Sequence, residues 1–545
     1  MWKTTAAKLT ELENAFRTGV NDGVEAAGWK GQAAGTADLE LEQTVRQIAI
    51  SANQAQTISA AAERAASELP ALQANLRSAI QEAESSGLRV IENAGGFTVQ
   101  AAAAGEGSGL TPADAAKQQS SIDGYVSRFN TLLRQASEAD AKFAAVMTTL
   151  MPGDVAETQL NAWQNSVEDT QRVAALYGVG PVPKLDPAQT AGWWRGLSDE
   201  QRALYLAAYP KQLGSMDGLP AAVRDKANRV ALDQRLIELS PALAAGKSPN
   251  YDKREWENLT EIKKQLVASS GRPSGAELFL LKFGDKFLDG QVVVSVGDPD
   301  KAKNISVSVP GTDTTVADSL ESGIKRVSAI QNLADSLNPG GQNNVASIFW
   351  LDYDAPEQNG PTASGSMAGW DRSQEGAPRL KSFISGVRAQ GNDQHITVIG
   401  HSYGTALVGD AAKSGNGLAV DDIVSLGSPG MHVKHARDLH IDPAHVWAER
   451  AAPGPTVDTA VVEGGQISHG TDHKPGFLSG VEFVGSLGTS RVTPTDTDFG
   501  ANIMRGDAQE HSDYWDDGSQ SLFNQAKVVA GKYTDPDPRL RPQLK

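Results

Sequence analysis

Cysteine is missing from all 545 residues. Its absence excludes disulfides, a cysteine nucleophile and thiolate-bound metals. It leaves the compartment open, because cysteine-free chains serve both in the cytosol and outside the cell. Aromatic residues are scarce, 6% against 40% hydrophobic, which describes a globular chain rich in small side chains. Positive charge is in deficit: 49 Lys and Arg stand against 66 Asp and Glu, a net charge of −17. Such a chain lacks the electrostatic footprint for nucleic acid or an anionic membrane surface. No apolar run of about 18 residues occurs, so no transmembrane segment is expected. The N-terminus, Met1-Trp2-Lys3-Thr4-Thr5-Ala6-Ala7-Lys8, carries charge early and has no apolar core, so it is not a classical secretory signal peptide.

What is present follows two grammars. Residues 1 to about 270 read as helix. Leu9, Leu12, Phe16, Val20 and Val24 step by three or four. A second stripe runs through Leu41, Val45, Ile48, Ala52, Ala55, Ile58, Ala62, Leu69, Leu72 and Leu76, with a break at Gly28-Trp29-Lys30-Gly31 between the two. Pro70 is expected to kink or split the second helix, because it removes an intrahelical bond. Thr111-Pro112-Ala113-Asp114 and Ser198-Asp199-Glu200-Gln201 are helix-start signals. From residue 276 the period changes. Short β-rich runs at 277–283, 290–296, 304–309, 345–351, 395–399, 422–426 and 445–448 alternate, in their later part, with helical segments. This pattern predicts a doubly wound, mostly parallel α/β sheet with a hairpin at one edge.

The most informative segment is Ile396-Thr397-Val398-Ile399-Gly400-His401-Ser402-Tyr403-Gly404. A buried strand runs into G-x-S-x-G and then into an Ala-rich helix, the context of the α/β-hydrolase nucleophile elbow. Ser402 is the expected nucleophile. The order for this fold is serine, acid, histidine, and His511 stands just before a last helix near Ser519; His469 and His473 are its rivals. For the acid, Asp458 is favoured after the loop 452–457, with Glu449 and then Asp472 as alternatives. The oxyanion donors are expected from the Tyr403 backbone and from Gly311 or Thr312 in Val309-Pro310-Gly311-Thr312. His432, His435, His440 and His445 lack the spacing of a metal motif and read as a solvated helix and loop. The Gly/Ser-rich stretch from Asn359 to Pro378, with Trp370, reads as a pocket rim or a plain surface insertion. Neither a cofactor nor a metal is expected.

With these segments placed, residues from about 185 to 535 resemble the actinobacterial α/β-hydrolase family once catalogued as a domain of unknown function. The resemblance is carried by Trp193-Trp194-Arg195-Gly196-Leu197-Ser198, Pro210-Lys211-Gln212-Leu213-Gly214-Ser215-Met216-Asp217-Gly218-Leu219-Pro220 and Arg224-Asp225-Lys226-Ala227-Asn228-Arg229. Val309-Pro310-Gly311-Thr312, Gly400-His401-Ser402-Tyr403-Gly404 and Gly427-Ser428-Pro429-Gly430 continue it. It implies triad roles for Ser402 and His511, and pre-sheet helices that pack on the hydrolase core. Related chains usually carry the acid sooner after the strand, where this one has Gly454. Residues 1–150 are similar to the WxG-type helical hairpins linked to type VII secretion, through Trp29-Lys30-Gly31 between two amphipathic helices. A Y-x-x-x-D/E signal after the second helix is absent. Tyr533 to Asp537 matches its letters, but Pro536 interrupts it.

The expected organisation is a WxG-like helical hairpin or bundle over 1–150, a helical segment over 151–275 packing on the core, and an α/β-hydrolase catalytic domain over 276–545. The expected function is a serine hydrolase acting on a small ester or lipid-like substrate, esterase- or lipase-like, through a Ser-His-Asp triad. The competing reading is a type VII secretion-linked interaction protein that uses the hydrolase fold as a non-catalytic scaffold; on either reading residues 1–150 are the expected site for a helical protein partner. On either reading the expected location is cytoplasmic or exported by a type VII route.

Overall fold

Alternation of strand and helix beyond residue 278 builds one eight-stranded sheet. A computed structural model describes residues 2–16, 32–93, 95–102, 111–150, 159–244, 250–269, 272–338, 344–357, 369–391, 393–451, 474–475, 489–490, 492–535 and 542–545. The chain divides into two units, one comprising 1–181 with 198–208, the other 182–197 with 209–545.

The first unit is helical. Its helices are α1 (Trp2–Phe16), α2 (Gln32–Ser85), α3 (Pro112–Leu150) and α4 (Gln159–Leu176), and a hairpin of β1 (Leu88–Asn93) and β2 (Gly96–Ala101) joins α2 to α3. Ala79, Ala83, Leu88, Val99 and Phe129 form a small core between helices and hairpin. Contrary to the expectation at Pro70, α2 runs unbroken through it. Pro70 and Ala66, whose carbonyl loses its intrahelical donor, are both exposed, so that carbonyl stays open to solvent. Gly87 ends the helix at φ +80°. Thr111 Oγ1 accepts the Asp114 N–H at 3.2 Å, the cap its sequence predicted. Trp29-Lys30-Gly31 lies outside the described residues.

The second unit starts with α5 (Pro187–Gly196); α6 (Asp199–Ala208) returns to the first unit, and α7 (Pro210–Gly214), α8 (Ala221–Ala244) and α9 (Asn250–Ala268) follow. The family-like segment here is structural. Asn228 Nδ2 donates to Gly214 O at 3.0 Å and to Leu280 O at 2.8 Å, and buried Arg224 pairs with Asp217 at 3.1 Å. The strands are β3 (Leu278–Gly284), β4 (Gln291–Val296), β5 (Asn304–Val309), β6 (Val345–Leu351), β7 (His395–His401), β8 (Asp422–Leu426) and β9 (Val446–Glu449). Their spatial order is a short strand Asn502–Ile503, then β9, β8, β7, β5, β6, β4, β3. The expected edge hairpin is β3–β4; β4 runs antiparallel to β6, and all remaining pairs are parallel. Helices α10 (Val316–Ser336) and α13 (Gln520–Val529) pack on one face, and α11 (Asp371–Arg388) and α12 (Tyr403–Ala412) on the other. Adjacent Val398 and Ile399 accordingly enter two different hydrophobic clusters. β5 is flanked by β6 on one side and β7 on the other. Strand order reverses there, and in open parallel sheets such a switch point opens a crevice at the carboxyl ends of the strands. No described helix is long and apolar enough to cross a membrane.

Candidate active site

Val309 of β5 pairs with Gly400 of β7, so the loop after β5 and the turn after β7 emerge side by side at the switch point. The turn after β7 holds Ser402 at φ +52°, ψ −129°, a conformation costly for any residue with a Cβ. Two glycines allow it. A Cβ on Gly400 would fall 2.8 Å from Thr405 Cα, and one on Gly404 would collide with the Val309 and Pro310 carbonyls. Ser402 immediately precedes α12, whose first N–H groups, beginning with that of Tyr403, have no intrahelical acceptor. Opposite it, Gly311 presses its backbone on the serine: a Cβ there would lie 2.6 Å from Ser402 Cβ and 3.1 Å from Oγ.

The loop after β5 is pinned from below. Fully buried Tyr353 donates its hydroxyl hydrogen to Pro310 O at 2.7 Å, and burial holds its phenol well above the ordinary value. Thr314 Oγ1 donates to Gly311 O at 2.9 Å. Tyr403, next to Ser402, stacks parallel to Tyr353, with ring centres 6.5 Å apart. Its hydroxyl donates to Gly369 O at 2.7 Å and accepts from the Ser373 N–H at 3.2 Å, and burial pushes it up to about 12.

His511 lines the same pocket of about 310 Å³ as Ser402, Gly311 and Thr312. A residue that sequence reasoning passed over helps to hold it there. The buried His401 ring lies 4.6 Å from the His511 ring, and its Nε2 bonds the His511 carbonyl at 2.8 Å, a contact in which Nε2 must carry the proton. The one sequence signal for this was an imidazole at the first x of G-x-S-x-G. Arg326, also passed over, reaches the pocket from α10. A larger groove of about 720 Å³, between Arg272, Lys325, Asn332 and Phe523, contains none of the predicted site residues.

Of the acid candidates, Asp458 and Asp472 lie outside the described residues, as do His469 and His473. Glu449 ends β9 fully buried, with Ser521 Oγ donating to its Oε1. Burial, reinforced by the charge of nearby Asp507, pushes its carboxyl up to about 7. The solvated reading of the histidine cluster needs correction. His432 is buried, bonds Asp410 Oδ2 at 3.0 Å and stacks on Trp370 with ring centres 4.0 Å apart. Burial works against the Asp410 charge, but His432, Lys413 and Ser373 outweigh it and hold the carboxyl below its usual range. The Trp370 ring and the Asp410 carboxylate, both distant in sequence, account for this burial, and local sequence does not reveal them. Pro378, taken with the rim stretch, lies inside α11, and residues 358–368 lie outside the described set. No cluster of three or more metal-ligating side chains occurs among the described residues.

An alpha/beta hydrolase family model matches residues 285–463. The uncharacterized proteins Rv0963c of Mycobacterium tuberculosis and Mb0988c of Mycobacterium bovis are 35% identical over 200 residues, covering 35% of this chain and 72% of theirs. The uncharacterized protein Rv2079 of Mycobacterium tuberculosis is 28% identical over 390 residues, 64% of this chain and 56% of its own length. This chain therefore spans little more than half of that relative. A lipase-esterase related protein from Clostridium acetobutylicum is similar over 27% of this chain and 51% of its own, at 18% identity and a TM-score of 0.18, which adds nothing to the fold described above. The chain belongs to an α/β-hydrolase family shared with these mycobacterial proteins.

Proposed function

We propose that the chain is a serine hydrolase that cleaves carboxylic esters. The observation that carries this reading is Ser402 at φ +52° on the strand–helix turn, facing the Gly311 backbone at the switch point. In the reaction, Ser402 Oγ attacks the acyl carbon while His511 takes its proton. The developing oxyanion is held by the Tyr403 N–H and by that of Gly311 or Thr312. The ester C–O bond then breaks, and His511 returns the proton to the leaving alcohol. Water, deprotonated by His511, then attacks the acyl carbon, the bond to Ser402 Oγ breaks, His511 returns the proton to that oxygen, and the acid leaves. Asp458 orients the His511 imidazole. The helical unit serves as a targeting or partner region.

Fluorophosphonate labelling with an ester panel tests this. The native chain is expected to label and to turn over esters, and Ser402→Ala to do neither while keeping its far-ultraviolet circular dichroism. Folded native protein that neither labels nor hydrolyses would leave the non-catalytic scaffold reading in its place.

A further inference from the structure

We propose that the Ser402 pocket accepts esters bearing an anionic group, and that the Arg326 guanidinium selects them. The proposal rests on the esterase reading and names its substrate class. Arg326 stands one helical turn beyond Ser322 and Gly323 on α10, all three lining the pocket that Ser402 and His511 line. Its guanidinium lies 4.4 Å from the centre of the Trp515 ring. Among the described residues it has neither a hydrogen bond nor an ion pair. Three other half-buried arginines of this unit are paired: Arg254 with Asp318, Arg372 with Asp354 and Arg235 with Glu255. Burial holds the Arg326 guanidinium below its ordinary value, with no carboxylate acting on it, although Asp313 lines the same pocket.

A partly desolvated cation without a counter-charge is unfavourable until an anion arrives. The guanidinium plane offers two parallel N–H donors, the geometry that a carboxylate or phosphoryl group accepts. The rest of the pocket agrees with a short polar substrate. Thr312, Thr314, Ser319, Ser322 and Ser512 line it with hydroxyls, and Phe349 is the one large apolar side chain among its described lining residues. The apolar recess that adjoins it behind Arg326 and Phe349, with Val327, Ile399 and Trp515, holds only about 20 Å³, too little for a long alkyl chain.

The test compares mono-p-nitrophenyl esters of succinate, glutarate and adipate with neutral esters of the same chain lengths, using Ser402→Ala protein as the blank. The native chain is expected to prefer the anionic member of at least one pair. Arg326→Met is expected to lower kcat/KM for that ester roughly 10- to 100-fold, mostly through KM, and to leave its neutral partner within about threefold. Arg326→Lys is expected to restore part of the loss. In parallel, Ser402→Ala protein, with and without Arg326→Met, is titrated calorimetrically with glutarate and with inorganic phosphate. Tighter glutarate binding assigns a carboxylate substrate and tighter phosphate binding a phosphoryl one; either must vanish with Arg326→Met. An equal loss on charged and neutral esters would reduce Arg326 to packing against Trp515 and overturn the proposal. So would native protein that shows no charge preference and binds neither anion. If no ester is cleaved and no label is taken up, the esterase reading fails by itself, and the anion titration still decides the pocket.

Discussion

A single methyl group at position 311 probes the site without touching a titrating side chain. The Cβ of Gly311→Ala would sit 2.6 Å from Ser402 Cβ, so loop or serine must shift. Relieving that contact takes a shift of roughly 1 Å, and a misplacement of that order at a reacting centre can cost about 10²-fold in rate. Gly311→Ala is therefore expected to lower kcat/KM on a chromogenic ester about 100-fold while Tm moves only a few degrees. Glu449 gives a test of a different sign. Its carboxyl rises from an ordinary 4.5 to about 7 on folding, so the folded state holds the proton more tightly. Stability then falls as pH rises from about 4.5 to 7 and stays reduced above, by at most about 3 kcal/mol. Glu449→Gln keeps an acceptor for Ser521 and cannot ionise. Its Tm relative to the native chain is expected to rise between about pH 5 and pH 8, with turnover unchanged within several-fold. A collapse of turnover would instead hand Glu449 the triad role foreseen for Asp458. At this scale legibility follows sequence distance. The Ser402 turn is one continuous segment with two obligatory glycines, so it could be read directly. Arg326, His401 and the 511–515 loop meet only through the fold; the imidazole inside G-x-S-x-G is the one local signal, and nothing near Arg326 in sequence announces the other two.

The strands were legible where their apolar runs were uninterrupted, and β7, buried along nearly its whole length, is the clearest case. Less legible was what the strand starts do. At the amino ends of β7, β8 and β9, buried Asp422 receives the Trp447 Nε1–H at 2.8 Å and contacts His395 Nε2 at 2.7 Å and His445 Nδ1 at 3.1 Å. Three strands are thus tied by one carboxylate, at the end of the sheet opposite Ser402. Burial disfavours charge on His395, but the Asp422 carboxylate outweighs it and raises the imidazole above its ordinary value. A raised histidine contributes stability that is complete below its unfolded value, near 6.5, and is lost as pH climbs through the folded value. Asp422→Asn should therefore destabilise most under mild acid. Removing one partner of a buried charged pair costs about 3–5 kcal/mol, so urea midpoints should separate clearly at about pH 6 and less at about pH 8. An equal separation at both values would mean that the Trp447 bond, not the histidine charge, carries the contribution. Pro70 teaches the opposite lesson at this scale. A breaker rule written for a buried or isolated helix fails in a long one, where a single exposed carbonyl goes to water.

At the scale of the whole molecule the two units are interleaved in sequence, which bears on whether the helical region can be removed. The chain enters the hydrolase unit at 182, leaves it for α6 at 198–208, and returns at 209. α6 belongs with α2 and α4, and Gln171 Nε2 donates to Ala208 O at 3.2 Å within that packing. Its Leu204, Tyr205 and Leu206 are buried. The apolar stripes of residues 1–150 read as a helical hairpin or bundle bounded at residue 150, because periodicity reports which face is buried and not what covers it. A fragment of residues 182–545 carries α6 stripped of α2 and α4. Exposing its large side chains costs about 1.5–3 kcal/mol each and leaves an apolar face open to self-association. Ser402, Gly311, His401, His511 and Arg326 all belong to the other unit. The fragment is therefore expected to elute as oligomers in size-exclusion chromatography and still take up a fluorophosphonate at Ser402. Replacing Leu204 and Leu206 with glutamate should restore the monomer without changing the labelling rate. A monomeric fragment that labels poorly would be the contrary result: it would mean that the helical unit shapes the site itself, and the targeting or partner role proposed for it would have to be given up.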